Sequence, residues 1–279
     1  MGKYLKTYFN NKYLVLSIII SILFLKCNEN SNITNSGDDN NNFTCKDTVR
    51  NYMNPLFPGN VGTYWQYKYF FNGQLGEEDT GWVYNGFISF NIDFNDGSWS
   101  EDSFKVEIEN KRFICLNDTT YECNIHTGHP LNLSDSNLIR WAYWNSNDGI
   151  YSMGLYNNTD SLFHKGLYIK YPLIKGDNWK DKIVITDGYA FYLFEFTVNE
   201  CISEMEIINT PAGSFPCYVI YRREEPEDVG GYYDYYEYYS PNVGLVCSVK
   251  KYTIPPPPGI KGYWRIISVE ILTQYSIKN

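Results

Sequence analysis

The sequence predicts an all-β protein in which one large antiparallel sheet, curled into a half-barrel or folded as a sandwich, contains little helix. From Cys45 onward, apolar and polar residues alternate with a period of two in successive runs. Turn-forming pairs such as Asp148-Gly149 separate these runs. Since no fifteen-residue stretch after Cys45 has the apolar spacing of an amphipathic helix, we expect roughly ten to fourteen strands.

Composition limits the classes of protein to which the chain can belong. Its 279 residues are 43% hydrophobic and 18% aromatic, which predicts one or two domains with a sizeable core and excludes a wholly disordered chain. The formal charge of −9 argues against a nucleic-acid partner. The abundance of Tyr, 27 residues, and of Asn is typical of a protein outside the cytoplasm.

The N-terminus has the pattern of an export signal. Lys3, Lys6 and Lys12 precede an apolar run over residues 13–25, as in the basic and hydrophobic regions of a secretory signal. About thirteen residues make a helix of roughly 20 Å, which is short of a ~30 Å hydrocarbon core. We therefore predict a signal peptide at residues 1–26, and a membrane-spanning helix is the weaker alternative.

The end of this run resembles the lipobox of bacterial lipoproteins. Leu23 stands four positions before Cys27, although Lys26 departs from the small residue expected there. The resemblance implies cleavage before Cys27, lipidation of Cys27, and attachment through acyl chains to the bacterial outer membrane or cell surface. Residues 28–44 contain seven Asn, so we predict a solvated tether over residues 27–46 and a single antiparallel domain over residues 47–279.

Each predicted strand follows from its own alternation. The clearest is 104–109, where apolar and charged residues alternate without a fault. Short helices are compatible with residues 48–53 and 131–139, and the prolines at 255–258 predict a stiff linker before a last strand over 261–275. The other strand predictions cover residues 65–71, 192–198, 217–221, 243–249 and 267–271.

A Tyr-rich segment at residues 232–239 has two interpretations. It is a strand near a sheet edge whose rings pack while their hydroxyls reach water, or it is an aromatic binding surface for a sugar, a peptide or a lipid-like ligand. Both faces of such a strand are aromatic. The candidate binding residues are Tyr232, Tyr233, Tyr235, Tyr236, Tyr238 and Tyr239.

Four phrases, taken together, resemble a group of uncharacterised bacterial lipoproteins. They lie at residues 57–67 (FPGNVGTYWQY), 171–179 (YPLIKGDNW), 210–215 (TPAGSF) and 238–246 (YYSPNVGLV). The resemblance implies a curved antiparallel sheet, distantly reminiscent of lipoprotein-carrier half-barrels, and an address in the cell envelope. It implies no catalytic residue and no ligand.

Six cysteines beyond Cys27 suit three disulfides in an exported chain. A three-residue loop would place Cys115 opposite Cys123 in a hairpin, which makes this the first predicted pair. Cys201 with Cys217 requires an offset in a second hairpin. The pair left by elimination is Cys45 with Cys247.

Catalytic and metal chemistry have weak support in the sequence. Cys123, His126 and His129 have ligand-like spacing, but an exported Cys is usually oxidised, so we predict no metal and no cofactor. Residues 91–97 are similar to a calcium loop whose Gly comes one position late. Acidic clusters at residues 77–79, 93–102 and 224–228 leave open a glycoside hydrolase that uses paired carboxylates.

The sequence therefore favours a binding or structural module over an enzyme. We expect a lipid-anchored envelope protein that presents an aromatic surface or cavity to a hydrophobic ligand, a glycan or a protein. Self-assembly through exposed β edges is the second hypothesis, and the secreted hydrolase is the third.

Overall fold

The chain is all-β. The computed structural model describes Cys45 and residues 47–72, 83–84, 87–88, 99–130, 138–158, 160–186, 190–226, 230–255 and 263–278. The predicted signal peptide and, apart from Cys45, the predicted tether lie outside this set. The described strands are β1 (Asp47–Val49), β2 (Tyr64–Asn72), β3 (Val83–Tyr84), β4 (Phe87–Ile88), β5 (Trp99–Leu116), β6 (Thr119–Pro130), β7 (Arg140–Asn145), β8 (Gly149–Tyr156), β9 (Ser161–Lys170), β10 (Lys182–Thr186), β11 (Phe191–Glu195), β12 (Val198–Thr210), β13 (Gly213–Glu224), β14 (Tyr232–Ser240), β15 (Gly244–Ile254) and β16 (Tyr263–Ser276).

Twelve strands form one large sheet. Its order is β12-β13-β14-β15-β16-β2-β5-β6-β7-β8-β9, with antiparallel neighbours throughout, and β1 adds to β6 in parallel. Two small hairpins, β10-β11 and β3-β4, lie outside this sheet. The sheet is not closed into a barrel, because β12 and β9 are its two ends. This confirms the predicted large antiparallel sheet.

The connection from β9 to β12 bridges the two ends of the sheet. On one side, the Cys201 amide donates to the Asp177 carbonyl at 2.8 Å. On the other, the Leu167 amide donates to Asp181 Oδ2 at 2.8 Å. A Cβ at Gly166 would lie 1.8 Å from the Lys182 carbonyl oxygen, so the approach of this connection to β9 requires glycine. The sheet is therefore a curled half-barrel that its own connection spans.

Both faces of the central strands are buried. Glu237, Ser248 and Glu270 lie opposite one another across β14, β15 and β16 and share one face, because side chains alternate along a strand. Their neighbours Val249 and Val269 are on the other face, where both are buried. The curl of the sheet covers the first face. The second packs in a cluster with residues of β12 and β13.

Several local predictions need correction. Residues 47–49 form β1 instead of a helical turn. Of the other candidate helix, 131–139, residues 131–137 lie outside the described residues. The run at 192–198 is divided at residues 196–197 between β11 and β12, whose partners differ. The Tyr-rich strand β14 is not an edge strand, since it lies between β13 and β15.

The cysteine pairing also differs from the prediction. Cys45 is bonded to Cys115, and Cys123, Cys201, Cys217 and Cys247 are free and buried. The β5-β6 turn is shorter than the three-residue loop that was assumed. It consists of residues 117–118, both with positive φ as in a tight hairpin, and places Cys115 opposite Thr120.

The pairs Cys201–Cys217 and Cys45–Cys247 are also wrong. In the β12-β13 hairpin Cys201 lies opposite Ile220, and Cys217 lies opposite Glu206. Two register shifts, between residues 201 and 206, separate these positions further. Cys247 is on β15, opposite Tyr238 and Ile271, while Cys45 is bonded on the β5 side of the sheet.

A buried arginine joins both ends of the sheet. Arg222 on β13 is 1% exposed. Its Nη2 donates to the Tyr168 carbonyl on β9 at 3.0 Å, its Nη1 to Asn199 Oδ1 on β12 at 2.6 Å, and its Nε to Glu237 Oε2 on β14 at 3.0 Å. The guanidinium also lies 4.5 Å from the centre of the Tyr168 ring. One side chain thus connects four strands, including the two that end the sheet.

Replacement of Arg222 by Met should destabilise the fold strongly. Arg222→Met keeps an apolar stem but leaves Glu237, whose side chain is 13% exposed, without its charge partner, so we expect a loss of about 3–5 kcal/mol in the free energy of unfolding. Urea denaturation measures this loss.

The matched control is Arg223→Met on the same strand. Arg223 is 28% exposed, and its partner Asp234 keeps Lys251 at 3.1 Å. We expect the control to lose about 1 kcal/mol or less. Equal losses in the two variants would contradict the role given to Arg222.

Candidate functional site

The concave side of the curled sheet contains an aromatic cavity with a volume of about 130 Å³. Eight of its thirteen lining residues are Phe, Trp or Tyr, and only Glu270 has a carboxyl group. The lining residues are Phe57, Trp65, Tyr67, Phe104, Val106, His126, Trp141, Tyr143, Tyr168, Tyr239, Gly244, Leu245 and Glu270.

Strand β2 supplies two rings that are fixed from across the sheet. The Trp65 indole donates to the Val243 carbonyl, and the Tyr67 hydroxyl donates to the Leu245 carbonyl at 2.9 Å. Gly244 has a φ of +100°, which favours glycine, and a Cβ there would lie 3.3 Å from Trp65 Nε1. The first and last lipoprotein-like phrases, residues 57–67 and 238–246, therefore meet at the cavity.

The opposite wall consists of tyrosines from β7, β9 and β14. Tyr168 and Tyr239 place their hydroxyl oxygens 3.4 Å apart, and the Tyr239 hydroxyl donates to Glu237 Oε2 at 3.2 Å. The Phe57 ring packs edge-on against Tyr143, with ring centres 5.0 Å apart. These contacts hold the rings in place, so the wall is built before any ligand binds.

Glu270 brings a buried carboxyl group to this wall. It is 6% exposed, and burial, followed by the nearby charge of Glu237, raises the pKa of Glu270 to about 8. Glu237 accepts hydrogen bonds from Arg222 and Tyr239, whereas no described residue donates such a bond to the Glu270 carboxyl group. At pH 7 the Glu270 carboxyl is therefore mostly protonated, and it lines the cavity as a neutral acid.

His126 contributes a neutral imidazole. Its ring stacks on Trp65 with ring centres 5.9 Å apart, and burial lowers the pKa of His126 to about 3. The ligand-like spacing in the sequence combines His126 with Cys123 and His129. Within the described ranges, no group of three or more His, Cys, Asp or Glu residues is arranged to hold a metal ion.

The six tyrosines of β14 have different surroundings. Tyr239 lines the cavity, while Tyr238 is fully buried on the other face. The Tyr235 hydroxyl donates to Glu224, and Tyr233 packs against Lys250 and Tyr252. Tyr232 lies under the Arg223 guanidinium, 3.8 Å from the ring centre, and Tyr236 packs on Tyr221. The strand therefore does not present its six rings as one surface.

The described members of the predicted acidic clusters lie apart from the cavity. Glu101 is paired with Lys68 in solvent, Glu224 is buried beneath Tyr235, and residues 77–79 and 91–98 lie outside the described residues. Glu237 and Glu270 are neighbouring carboxyl groups, but Arg222 and Tyr239 already occupy Glu237. Because Glu237 is not among the lining residues, the hydrolase hypothesis gains no pair of free acids here.

Sequence reasoning missed Glu270, Arg222 and Tyr168 as site residues. In the alternating run at 267–271, Glu270 had the position of an ordinary polar residue beside apolar neighbours. A charged residue in a strand that is buried on both faces indicates a functional site. This signal was not available for Glu270, because the burial of its face comes from the curl of the sheet and is not visible in the sequence. For Trp65 and Tyr67, the predicted shared face was the available signal, and both do line the cavity.

Two solved structures are similar to this chain. One, a candidate lipoprotein from Parabacteroides distasonis ATCC 8503, has a TM-score of 0.47 and 15% sequence identity over 81% of this chain and 100% of its own. The other, a candidate exported protein with a YmcC-like fold from Bacteroides fragilis NCTC 9343, has a TM-score of 0.43 and 15% identity over 79% of this chain and 98% of its own. No known family pattern matches the sequence, and no curated protein is significantly similar to it.

Glu270→Gln should change how stability depends on pH. Since the folded-state pKa of Glu270, about 8, exceeds its usual value of 4.5, the protonated acid favours folding and this contribution is lost as the pH rises from about 5 to 8. The Gln variant does not lose this contribution to the free energy of unfolding, because its amide does not ionise over this range. We therefore expect the difference in unfolding free energy between the two proteins to shift in favour of the variant over this range, as measured by urea denaturation.

Other titrating groups are common to both proteins and cancel in this difference. His126 titrates near pH 3, and burial lowers the pKa of Lys250 to about 8. Parallel pH profiles for the wild type and the Gln variant would contradict the assignment.

Proposed function

We propose that this protein is an exported, lipid-anchored envelope module that binds a small, mainly apolar ligand group in the aromatic cavity of its curled sheet. The observation that carries the proposal is the cavity itself, with its eight aromatic residues around one buried carboxyl group. Concave aromatic sites with few polar groups are the usual form of small-ligand sites. A dry apolar cavity of ~150 Å³ is large enough for benzene, so about 130 Å³ suits a group of comparable size.

Export and lipidation are supported by the N-terminal sequence. The apolar run at 13–25 ends at Cys27, and an Asn-rich segment separates Cys27 from the first strand. The bond between Cys45 and Cys115 is of the kind that persists in oxidising compartments. The part of the chain that the structure describes contains no helix with the length and apolar character needed to cross a membrane.

Edge-to-edge assembly has less support than ligand binding. Residues 176–179 hydrogen-bond along the start of β12, and the β10 segment lies against Gly166 on β9. Covered edges are a common protection against pairing with a second chain. A proposal based on the cavity therefore explains more of the structure.

Benzene should stabilise the protein through the cavity. We expect saturating benzene to raise the melting temperature of the purified chain, because a ligand that binds only the folded state stabilises it by mass action. Leu245→Phe adds a ring to a lining position and should abolish most of this shift.

The matched control is Leu193→Phe on β11, where Leu193 is 42% exposed and outside the lining. It should leave the benzene-induced shift unchanged. No shift in the wild type, or an equal shift in Leu245→Phe, would contradict binding in this cavity.

Cys27→Ser should abolish lipidation. In a bacterial host supplied with labelled fatty acid, we expect label on the wild-type chain and none on the variant, because acyl transfer requires the Cys27 thiol. Cys45→Ser removes a different cysteine near the same tether and should keep the label. A labelled Cys27→Ser chain, or an unlabelled wild type, would contradict the lipid anchor.

A further inference from the structure

We propose that the ligand group held in the cavity is an alkylated ammonium ion, with Glu270 as its counter-charge and the surrounding aromatic rings as its cage. This inference rests on the proposed function, because it names the class of ligand that the same cavity takes. A cation beside a carboxylate and against the faces of Trp, Tyr and Phe rings is stabilised by both the charge and the ring quadrupoles.

The first observation is the state of Glu270. Its side chain is 6% exposed and lines the cavity, and among the described residues it has no hydrogen bond or ion pair. Buried carboxyl groups are usually paired, because an uncompensated charge away from water is costly. The neighbouring Glu237 shows the ordinary solution, since it is paired with Arg222 at 3.0 Å. A positively charged ligand would pair with Glu270 as Arg222 pairs with Glu237.

The second observation is the composition of the wall around it. Trp65, Tyr67 and Phe104 come from β2 and β5, with Tyr67 and Phe104 stacked at a ring-centre distance of 5.2 Å. Trp141 and Tyr143 come from β7 on the other side. Such rings attract a weakly hydrated cation more than they attract a neutral group of the same shape. Methyl groups on the nitrogen also gain from contact with apolar surface.

The third observation is the charge balance. Among the lining residues, Glu270 is the group that becomes negative near neutral pH, because burial raises the pKa of Tyr67 well above 10 and that of Tyr168 to about 12. His126 is neutral, since its pKa is lowered to about 3. No lining residue is Lys or Arg. The cavity is therefore complementary to one positive charge.

The positively charged side chains near the cavity that do not line it contact other groups of the protein. Arg222 is bonded to Glu237, which faces Glu270 from β14. Lys250 lies on β15 over the Tyr233 and Tyr235 rings, at 4.3 and 5.0 Å from their centres. Cys247, also on β15, has a pKa raised well above 9 and stays neutral. None of these groups is among the lining residues.

Binding of a cation should expel the proton from Glu270. Below the pKa of Glu270, about 8, the acid is protonated before binding and ionised afterwards. The apparent affinity for an ammonium ion should therefore rise by about tenfold per pH unit between pH 6 and 7. A neutral ligand that accepts a hydrogen bond from the protonated acid should show no such rise.

The test compares choline with 3,3-dimethylbutan-1-ol, which replaces the charged nitrogen by carbon at the same shape. Isothermal titration of the purified full chain in detergent, at pH 6, 7 and 8 and in two buffers of different protonation enthalpy, measures affinity and proton release. We expect choline to bind at least tenfold more tightly than the alcohol at pH 8, with release of nearly one proton per choline at pH 6.

Two variants separate the contribution of the Glu270 charge to the preference for choline from the contribution of the aromatic rings. Glu270→Gln should reduce the preference for choline to less than twofold and abolish proton release, while Glu101→Gln removes an exposed carboxylate, 50% exposed, and should leave both unchanged. Trp141→Leu keeps apolar bulk but removes a ring, and should weaken choline more than the alcohol. The Glu270→Gln result is interpretable because retained binding of the alcohol shows that the variant is folded.

The outcomes separate this inference from the proposed function. Equal binding of choline and the alcohol, with no effect of Glu270→Gln, would overturn the ammonium assignment and leave a cavity that binds neutral groups. An affinity for the alcohol that increases as the pH falls, together with a choline affinity that does not rise between pH 6 and 8, would also overturn it, in favour of Glu270 as a hydrogen-bond donor. Binding of neither compound, together with the absence of a benzene shift, would overturn the proposed function as well.

Discussion

A single guanidinium joins the two ends of the large sheet. Arg222 contacts β9, β12 and β14 from β13, so strands that are far apart in sheet order become neighbours. A buried ion pair gives little net stability, but it penalises every arrangement in which one partner is left without the other. The curl of the sheet is thereby set by charge and hydrogen-bond geometry as well as by apolar packing. The cavity exists because this curl places β7 and β9 opposite β2.

The cavity combines a rigid wall with one group that is costly to bury. Tyr67 and Tyr239 direct their hydroxyls away to protein acceptors, which leaves their rings as lining. Glu270, by contrast, is buried without a partner in the described part of the chain, and a fold selected for stability alone would hold an apolar residue there. A buried, unsatisfied acid inside an aromatic wall is the feature that makes a binding site a better explanation of this region than a core.

The strands could be predicted from the sequence, but the disulfide pairing, the strand order and the cavity could not. Alternation at 65–71 and 104–109 is local, and it correctly predicted β2, part of β5 and the shared face of Trp65 and Tyr67. The pairing of Cys115 with Cys45 depends on a strand added in parallel to β6, and the burial of Glu270 depends on curvature. Neither is encoded in neighbouring residues, because each arises from contacts between parts of the chain far apart in sequence. The predicted Tyr-rich edge failed for the same reason: strand order is a property of the whole sheet.

The bond between Cys45 and Cys115 determines how the domain would carry a mechanical load. A pull on the chain from its N-terminal side enters at Cys45, and the bond passes that force directly to β5, across a sequence separation of 70 residues. The intervening segment is a covalently closed loop that cannot be drawn out end to end. Strand β2, with Trp65 and Tyr67, lies inside this loop. Tension on the proposed tether would therefore bypass β2, the strand that supplies two of the cavity's rings, and would enter the sheet at the end of β5.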